Sequence, residues 1–168
     1  MKYFFLSFFA FFILAASAFS QGSAPNFILN GNELVLPFPI RFEAGTDIFT
    51  KESESTLEFI KAYLMNKPHI SLIRIEGHVS ETRSPEEDEK LSEKRAMAVA
   101  KWLIEHEIEC ARLLATGFGN TKPIIGDKTP EAKIKNTRIS IVNAMIKGQA
   151  IGGMPVDGGG WVSGDPCN

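Results

Sequence analysis

The side chains best able to do chemistry cluster between Gly77 and Ala96: His78, Ser80, Glu81, Glu86, Glu87, Asp88 and Arg95. His78 and Glu81 spell His-x-x-Glu, a pair that could hold a hydrolytic metal. The only other histidines are His69 and His106, and neither stands at a spacing that completes a ligand set. A histidine at the end of a strand, bonded to nearby backbone, is the plainer reading of His78. No Gly-x-Ser-x-Gly elbow, no cysteine–histidine arrangement and no phosphate-cradling glycine loop occurs. Asp157 and Asp165 lack the regular spacing of a calcium loop. The sequence therefore reads as that of a non-enzyme with no metal and no cofactor.

Charge and cysteine usage narrow the partners. The formal net charge is −2, and no basic patch stands out that could neutralise phosphates, so nucleic acid is not expected as a partner. The first twenty residues read as a signal peptide: Lys2, an apolar run from Tyr3 to Ala15, then Ala-Ser-Ala at 16–18. No cysteine stands near that cleavage region, so no lipoprotein acyl anchor is expected. The remaining chain, about 148 residues, suits one domain with its own core. In an exported chain the two cysteines, Cys110 and Cys167, invite a disulfide that pins the tail. The alternative is a buried Cys110 that packs as a small apolar group.

The elements that must position the cluster follow from periodicity. Ile70 to His78 is an apolar, β-branched run after a proline and reads as a buried strand. Leu91 to Glu107 has helical spacing, with Ser92, Ala96, Val99, Ala100 and Leu103 on one side. Between them Ser80 to Leu91 reads as a polar, acidic loop. Upstream, Asn30-Gly31 between short apolar pieces signals a hairpin. Ile40 to Glu43 reads as a short strand, followed by a loop at 45–47. A first helix is expected from Ser53 or Ser55 to Asn66, with Ser55 and Glu58 as a capping box and Leu57, Ile60 and Leu64 as its inner stripe. Residues 148–168 read as a glycine-rich tail, flexible or loosely docked, and Trp161 is expected to cover an apolar patch if it docks.

The motif at the centre carries a family resemblance. Gly-His-Val-Ser at 77–80, followed by Leu-Ser-x-x-Arg-Ala at 91–96, resembles the OmpA-like C-terminal domain family, whose pattern is Gly-His-Thr-Asp, a loop, then Leu-Ser-x-x-Arg-Ala. Phe-Glu-Ala-Gly-Thr at 42–46, Gly-Phe-Gly at 117–119 and Asn-Thr-Arg at 136–138 continue the likeness from Pro37 to Asn143. It implies an α+β fold: a β-α-β-α-β-β sandwich, a small mixed sheet with helices packed on one face. The expected organisation is signal peptide 1–20, hairpin segment 21–36, OmpA-like domain 37–147 and tail 148–168.

The resemblance also implies a function. Family members that hold peptidoglycan recognise the diaminopimelate residue of its stem peptide, a zwitterion with one ammonium and a carboxylate. The cation would be Arg95, whose guanidinium fork can hold a carboxylate near a helix N-terminus. Thr46, Asp88 and Arg138 fall on the other positions that would line the ligand. The family's aspartate falls on Ser80, which accepts a hydrogen bond but brings no charge; that loss costs roughly 1.5–3 kcal/mol. Expected, then, is an exported periplasmic protein that binds peptidoglycan non-covalently and anchors or links the envelope. The alternative is a module that keeps the fold, has lost peptidoglycan binding through Ser80, and contacts an outer-membrane or periplasmic protein.

Overall fold

The structure, a computed structural model, describes residues 25–80, 84–126, 129–152 and 160–168. The signal-peptide reading, Glu81 and Asp157 lie outside the described residues. Among the described residues no helix is long and apolar enough to cross a membrane.

A single mixed sheet is built from seven strands: β1 (Leu29–Asn30), β2 (Glu33–Leu34), β3 (Ile70–His78), β4 (Leu113–Gly117), β5 (Arg138–Ile146), β6 (Gln149–Ala150) and β7 (Trp161–Val162). Their order is β1-β2-β5-β3-β4-β7, with β6 also on β5. Among the described residues only β3 and β4 run parallel, with Ile73 beside Leu113 and Gly77 beside Gly117. Ile73 and Ile75 of β3 join one apolar core with Leu57, Ile60 and Leu64 of helix α1 (Glu54–Asn66) and Val99, Ala100 and Leu103 of helix α2 (Pro85–Glu105). Side chains alternate across a strand, so Arg74, Glu76 and His78 occupy the opposite face. They are buried there as well, at 4%, 6% and 2% exposure.

Two glycines let α2 lie close to the sheet. A Cβ on Gly77 would sit 2.1 Å from the Ser92 carbonyl oxygen, and one on Gly117 would sit 2.7 Å from the Glu93 backbone nitrogen. Ser92 completes the contact: its hydroxyl donates to the Glu89 carbonyl at 2.6 Å and accepts from the Gly119 N–H at 2.9 Å.

Several local expectations shift. Helix α2 begins at Pro85, six residues before Leu91. Ser84 caps it by accepting from the Glu87 N–H, and proline follows at the first helical position. Glu86, Glu87 and Asp88 are thus not loop acids; they sit in the first turn, where the helix dipole favours negative charge. The Ser55–Glu58 capping box does not form. A 3-10 turn at Lys51–Ser53 precedes α1, which puts Ser55 inside the helix, where its hydroxyl donates to Glu52. Ser53 instead ties back the upstream chain, exchanging hydrogen bonds with both backbone groups of Arg41 at 2.8 Å. Residues 40–43 form no sheet strand; Phe42 makes one bridge to Phe49, across a turn that Gly45 enters with φ 69°. The hairpin closes at Gly31-Asn32, one residue later than expected, with Gly31 at φ 59°.

The tail is fastened at both of its described ends. Strand β7 pairs antiparallel with β4, and Gly160 packs on the Phe118 ring. Cys110 and Cys167 form a disulfide with Cα atoms 5.3 Å apart, across a sequence separation of 57. Trp161 is 61% exposed, and the strand docks through its backbone. In the unfolded chain a cross-link of this span removes much loop freedom. Replacing both cysteines with alanine is expected to lower stability by about 2–4 kcal/mol. Urea unfolding checks this: an unchanged midpoint would show that the bridge only decorates the fold.

Candidate functional site

A cleft of about 650 Å³ opens where β3 ends, between the 39–50 segment, α2 and the short helix α3 (Pro130–Asn136). Its apolar lining is Pro39, Ile40, Phe42, Pro130 and Ile134, and its polar lining includes Thr50, His78 and Thr137. Five cations complete it: Arg41, Arg95, Lys133, Lys135 and Arg138.

Arg95 is only 3% exposed. Its Nε donates to the Thr46 carbonyl at 2.8 Å, and its guanidinium lies 4.8 Å from the centre of the Phe42 ring. Helix α2 therefore delivers this cation to the cleft wall, and the 41–50 turn holds it there. Thr46 serves that turn: its hydroxyl donates to the Glu43 carbonyl and accepts from the Ile48 N–H, both at 3.1 Å. It supplies a carbonyl to Arg95 and is not among the cleft-lining residues.

Asp88 is buried at 3% exposure and accepts from the Asn120 side chain at 3.2 Å. It braces the turn after β4 and does not line the cleft. Ser80 borders the cleft through Thr137, whose hydroxyl accepts from the Ser80 N–H at 3.2 Å. Arg138 does line it, donating to the Asn136 carbonyl at 3.2 Å and the Lys122 carbonyl at 3.3 Å. Burial pushes its pKa down, against the opposing charges of Glu33 and Glu76. Of the five residues expected to bind ligand, the structure brings Arg95 and Arg138 into one cleft, puts Ser80 at its border, and gives Thr46 and Asp88 supporting positions.

Behind the cleft lies a buried charge cluster. Arg74 donates through Nε and Nη2 to Glu76 Oε1, and His78 Nε2 stands 3.2 Å from Glu76 Oε2. Burial alone would raise the Glu76 pKa, but the His78 hydrogen bond and the Arg74 and Lys122 charges outweigh it and hold the group at about 2. Burial lowers the His78 pKa, with Glu76 partly offsetting it. Neutral His78 thus carries its proton on Nε2, facing the carboxylate. Its Nδ1 is a buried acceptor with no partner among the described residues. The Phe118 ring stacks on His78 at 5.4 Å and carries the Lys122 ammonium at 3.9 Å.

Arg41, Lys133 and Lys135 are functional candidates that sequence reasoning did not find. Arg41 comes from one segment and the two lysines from another far along the chain, and no local motif marks them; the only trace is that each stands one to three residues from a family position.

The OmpA family's sequence profile matches residues 41–137. Outer-membrane lipoprotein YfiB of Pseudomonas aeruginosa is 30% identical over 112 residues, 67% of this chain and 66% of that protein. The peptidoglycan-associated lipoprotein of Brucella melitensis is 26% identical over 111 residues, 66% of this chain and 62% of that one. The chain spans between 35% and 66% of the length of such curated relatives. Among solved structures, the peptidoglycan-associated lipoprotein from Burkholderia pseudomallei superposes with a TM-score of 0.56 at 24% identity, covering 61% of this chain and 86% of that one. That likeness shows the same α+β architecture, a mixed sheet with helices packed against it and not a closed barrel. With more than half of its length matched by one family, this chain belongs to the OmpA family.

Proposed function

We propose that this protein is an exported, non-catalytic module of the cell envelope that binds peptidoglycan non-covalently, with Arg95 receiving a stem-peptide carboxylate. The observation that carries this reading is the position of Arg95. A guanidinium tethered by its Nε and stacked on an aromatic ring is pre-organised, so little side-chain entropy remains to be lost on binding. The intact Leu-Ser-x-x-Arg-Ala motif supports it, as do relatives whose names include peptidoglycan association. In this reading the protein works in the periplasm and anchors or links the wall.

One observation favours a second reading. Ser80 brings no charge to a ligand ammonium; in this second reading the module keeps the fold and contacts an envelope protein instead. Sedimentation with isolated sacculi separates the two. The protein is expected to pellet with sacculi, and Arg95→Lys, which keeps the charge but loses the fork, is expected to weaken binding about tenfold or more. A thermal melt of the variant distinguishes lost binding from a loosened 41–50 turn. Failure of the wild-type protein to pellet would move the function to a protein partner.

A further inference from the structure

We infer that a second groove, along the outer flank of α2, holds the glycan strand of peptidoglycan, a chain of N-acetylated amino sugars, while the cleft holds the stem peptide. The inference rests on the peptidoglycan reading and deepens it.

The groove measures about 510 Å³, a volume in the range of small-ligand sites. Its long wall is α2, which presents two neighbouring rows: Glu93, Met97, Lys101 and Glu105, then Lys94, Ala98 and Trp102. Residues four apart share a helix face, and Glu93 to Glu105 spans about 18 Å of helix. Asp47 and Phe49 form the opposite wall, and Ser163, the residue after β7, also lines it.

The partition between groove and cleft is one aromatic pair thick. Phe42 lines the cleft, Phe49 lines the groove, and their ring centres are 5.1 Å apart. In peptidoglycan each stem peptide is covalently joined to the sugar chain. A stem held in the cleft by Arg95 therefore brings its glycan alongside, and a concave surface stands next to it.

The chain has two tryptophans, and both belong to this surface. Trp102 lines the groove with its ring stacked on His106 at 3.7 Å, and His106 Nδ1 stands 2.7 Å from the Trp102 carbonyl oxygen. In β7, Trp161 pairs with Gly117, and the Ser163 N–H donates to the Ala115 carbonyl. Directly opposed residues of an antiparallel pair share one face. A Cβ on Gly117 would meet Glu93 of α2, so Trp161 stands on the α2 side with Ser163, largely exposed. An indole offers an electron-rich face to the polarised C–H groups of a sugar ring, and fixing it costs little entropy because it has only two side-chain torsions. Around the indoles Asp47, Glu93 and Glu105 accept hydrogen bonds, while Lys94 and Lys101 donate them. That mixture suits the hydroxyl and acetamido groups of an uncharged sugar chain.

Because both tryptophans stand here, intrinsic fluorescence reads this surface. The probe is peptide-free glycan strands, prepared from sacculi with an amidase that removes the stem peptides. Titrating them into the purified protein is expected to change the tryptophan emission saturably. Trp161→Ala, a change at an exposed side chain, is expected to weaken glycan binding about tenfold with an unchanged thermal melt, and Lys101→Ala, also exposed, to weaken it several-fold. Sedimentation with intact sacculi should also weaken several-fold for Trp161→Ala. If intact sacculi pellet the protein but glycan strands leave the emission unchanged, the inference is overturned and peptidoglycan binding stands; the groove then takes a protein or more of the stem peptide. Full glycan affinity in both variants would overturn it as well. Glycan binding by a protein that Arg95→Lys still pellets at wild-type strength would sustain the inference and overturn the role of Arg95. Failure to bind either glycan strands or intact sacculi would overturn both.

Discussion

Gly77→Ala is expected to leave little folded protein. The added methyl would lie 2.1 Å from the Ser92 carbonyl oxygen and 2.8 Å from its carbon. Both are main-chain atoms of α2, so no rotamer change relieves the clash. The helix would have to lift off β3, taking Ala96, Val99 and Leu103 away from Ile73 and Ile75. Overpacking by movable side chains costs about 1–3 kcal/mol; here the obstacle is backbone, and the cost should exceed that range. Gly31→Ala is the control. Its φ of 59° imposes strain of about 1–2 kcal/mol, but a Cβ there meets nothing within 4 Å. Thermal melts should show a far larger loss for Gly77→Ala. Similar losses for the two would mean that α2 does not depend on the glycine.

Glu76→Gln should be the next most damaging change. It removes a buried counter-charge from Arg74, which is 4% exposed. Breaking a buried pair from one side costs about 3–5 kcal/mol. The same group sets an acid limit on stability. Its pKa falls from 4.5 to about 2 on folding, so between those values the unfolded chain holds more protons than the folded one. The corresponding stability, on the order of 3 kcal/mol, is fully present above pH ~4.5 and lost as pH falls through ~2. His78 acts in the same direction. Burial lowers its pKa, so its share is present above the ordinary value of 6.5 and declines as pH drops below it. Urea midpoints across pH should fall on the acid side for wild type, and the gap to Glu76→Gln should narrow toward pH ~2. A gap of constant size would show that Glu76 is not held as a carboxylate by its neighbours.

What could be read in advance depended on how local each signal was. Strand β3 was legible as an apolar, β-branched run, and its observed span is the expected Ile70–His78. The inner stripe of α2 was legible too. Its start was not, because three consecutive acids look like a solvated loop unless Ser84 and Pro85 are weighed as a cap. The hairpin slipped by one residue because Asn30, Gly31 and Asn32 all tolerate turn geometry, and pairing with β5 decides among them. Arg95 was legible through its motif. The tether to the Thr46 carbonyl was not, since it joins residues 49 apart. The buried Arg74–Glu76–His78 row was hidden for another reason: alternating charges on a strand ordinarily mean a face turned to water, and the Phe118 ring packs over this one.

The place of β5 has a consequence for how the chain reaches this structure. The sheet's central partner is among the last strands in sequence, yet it lies between β2 and β3, joining Leu34 to Ile141 and Arg74 to Val142. Until residues 138–146 have arrived, the amino-terminal hairpin has no neighbour to pair with, and β3 can pair only with β4. Loop closures of this span must precede the contacts that reward them, which slows folding relative to a chain whose neighbouring strands are adjacent in sequence. The contacts open to the chain before then are those among α1, β3, α2 and β4, a half-domain with an unpaired edge on β3 that waits for β5 and another on β4 that waits for β7.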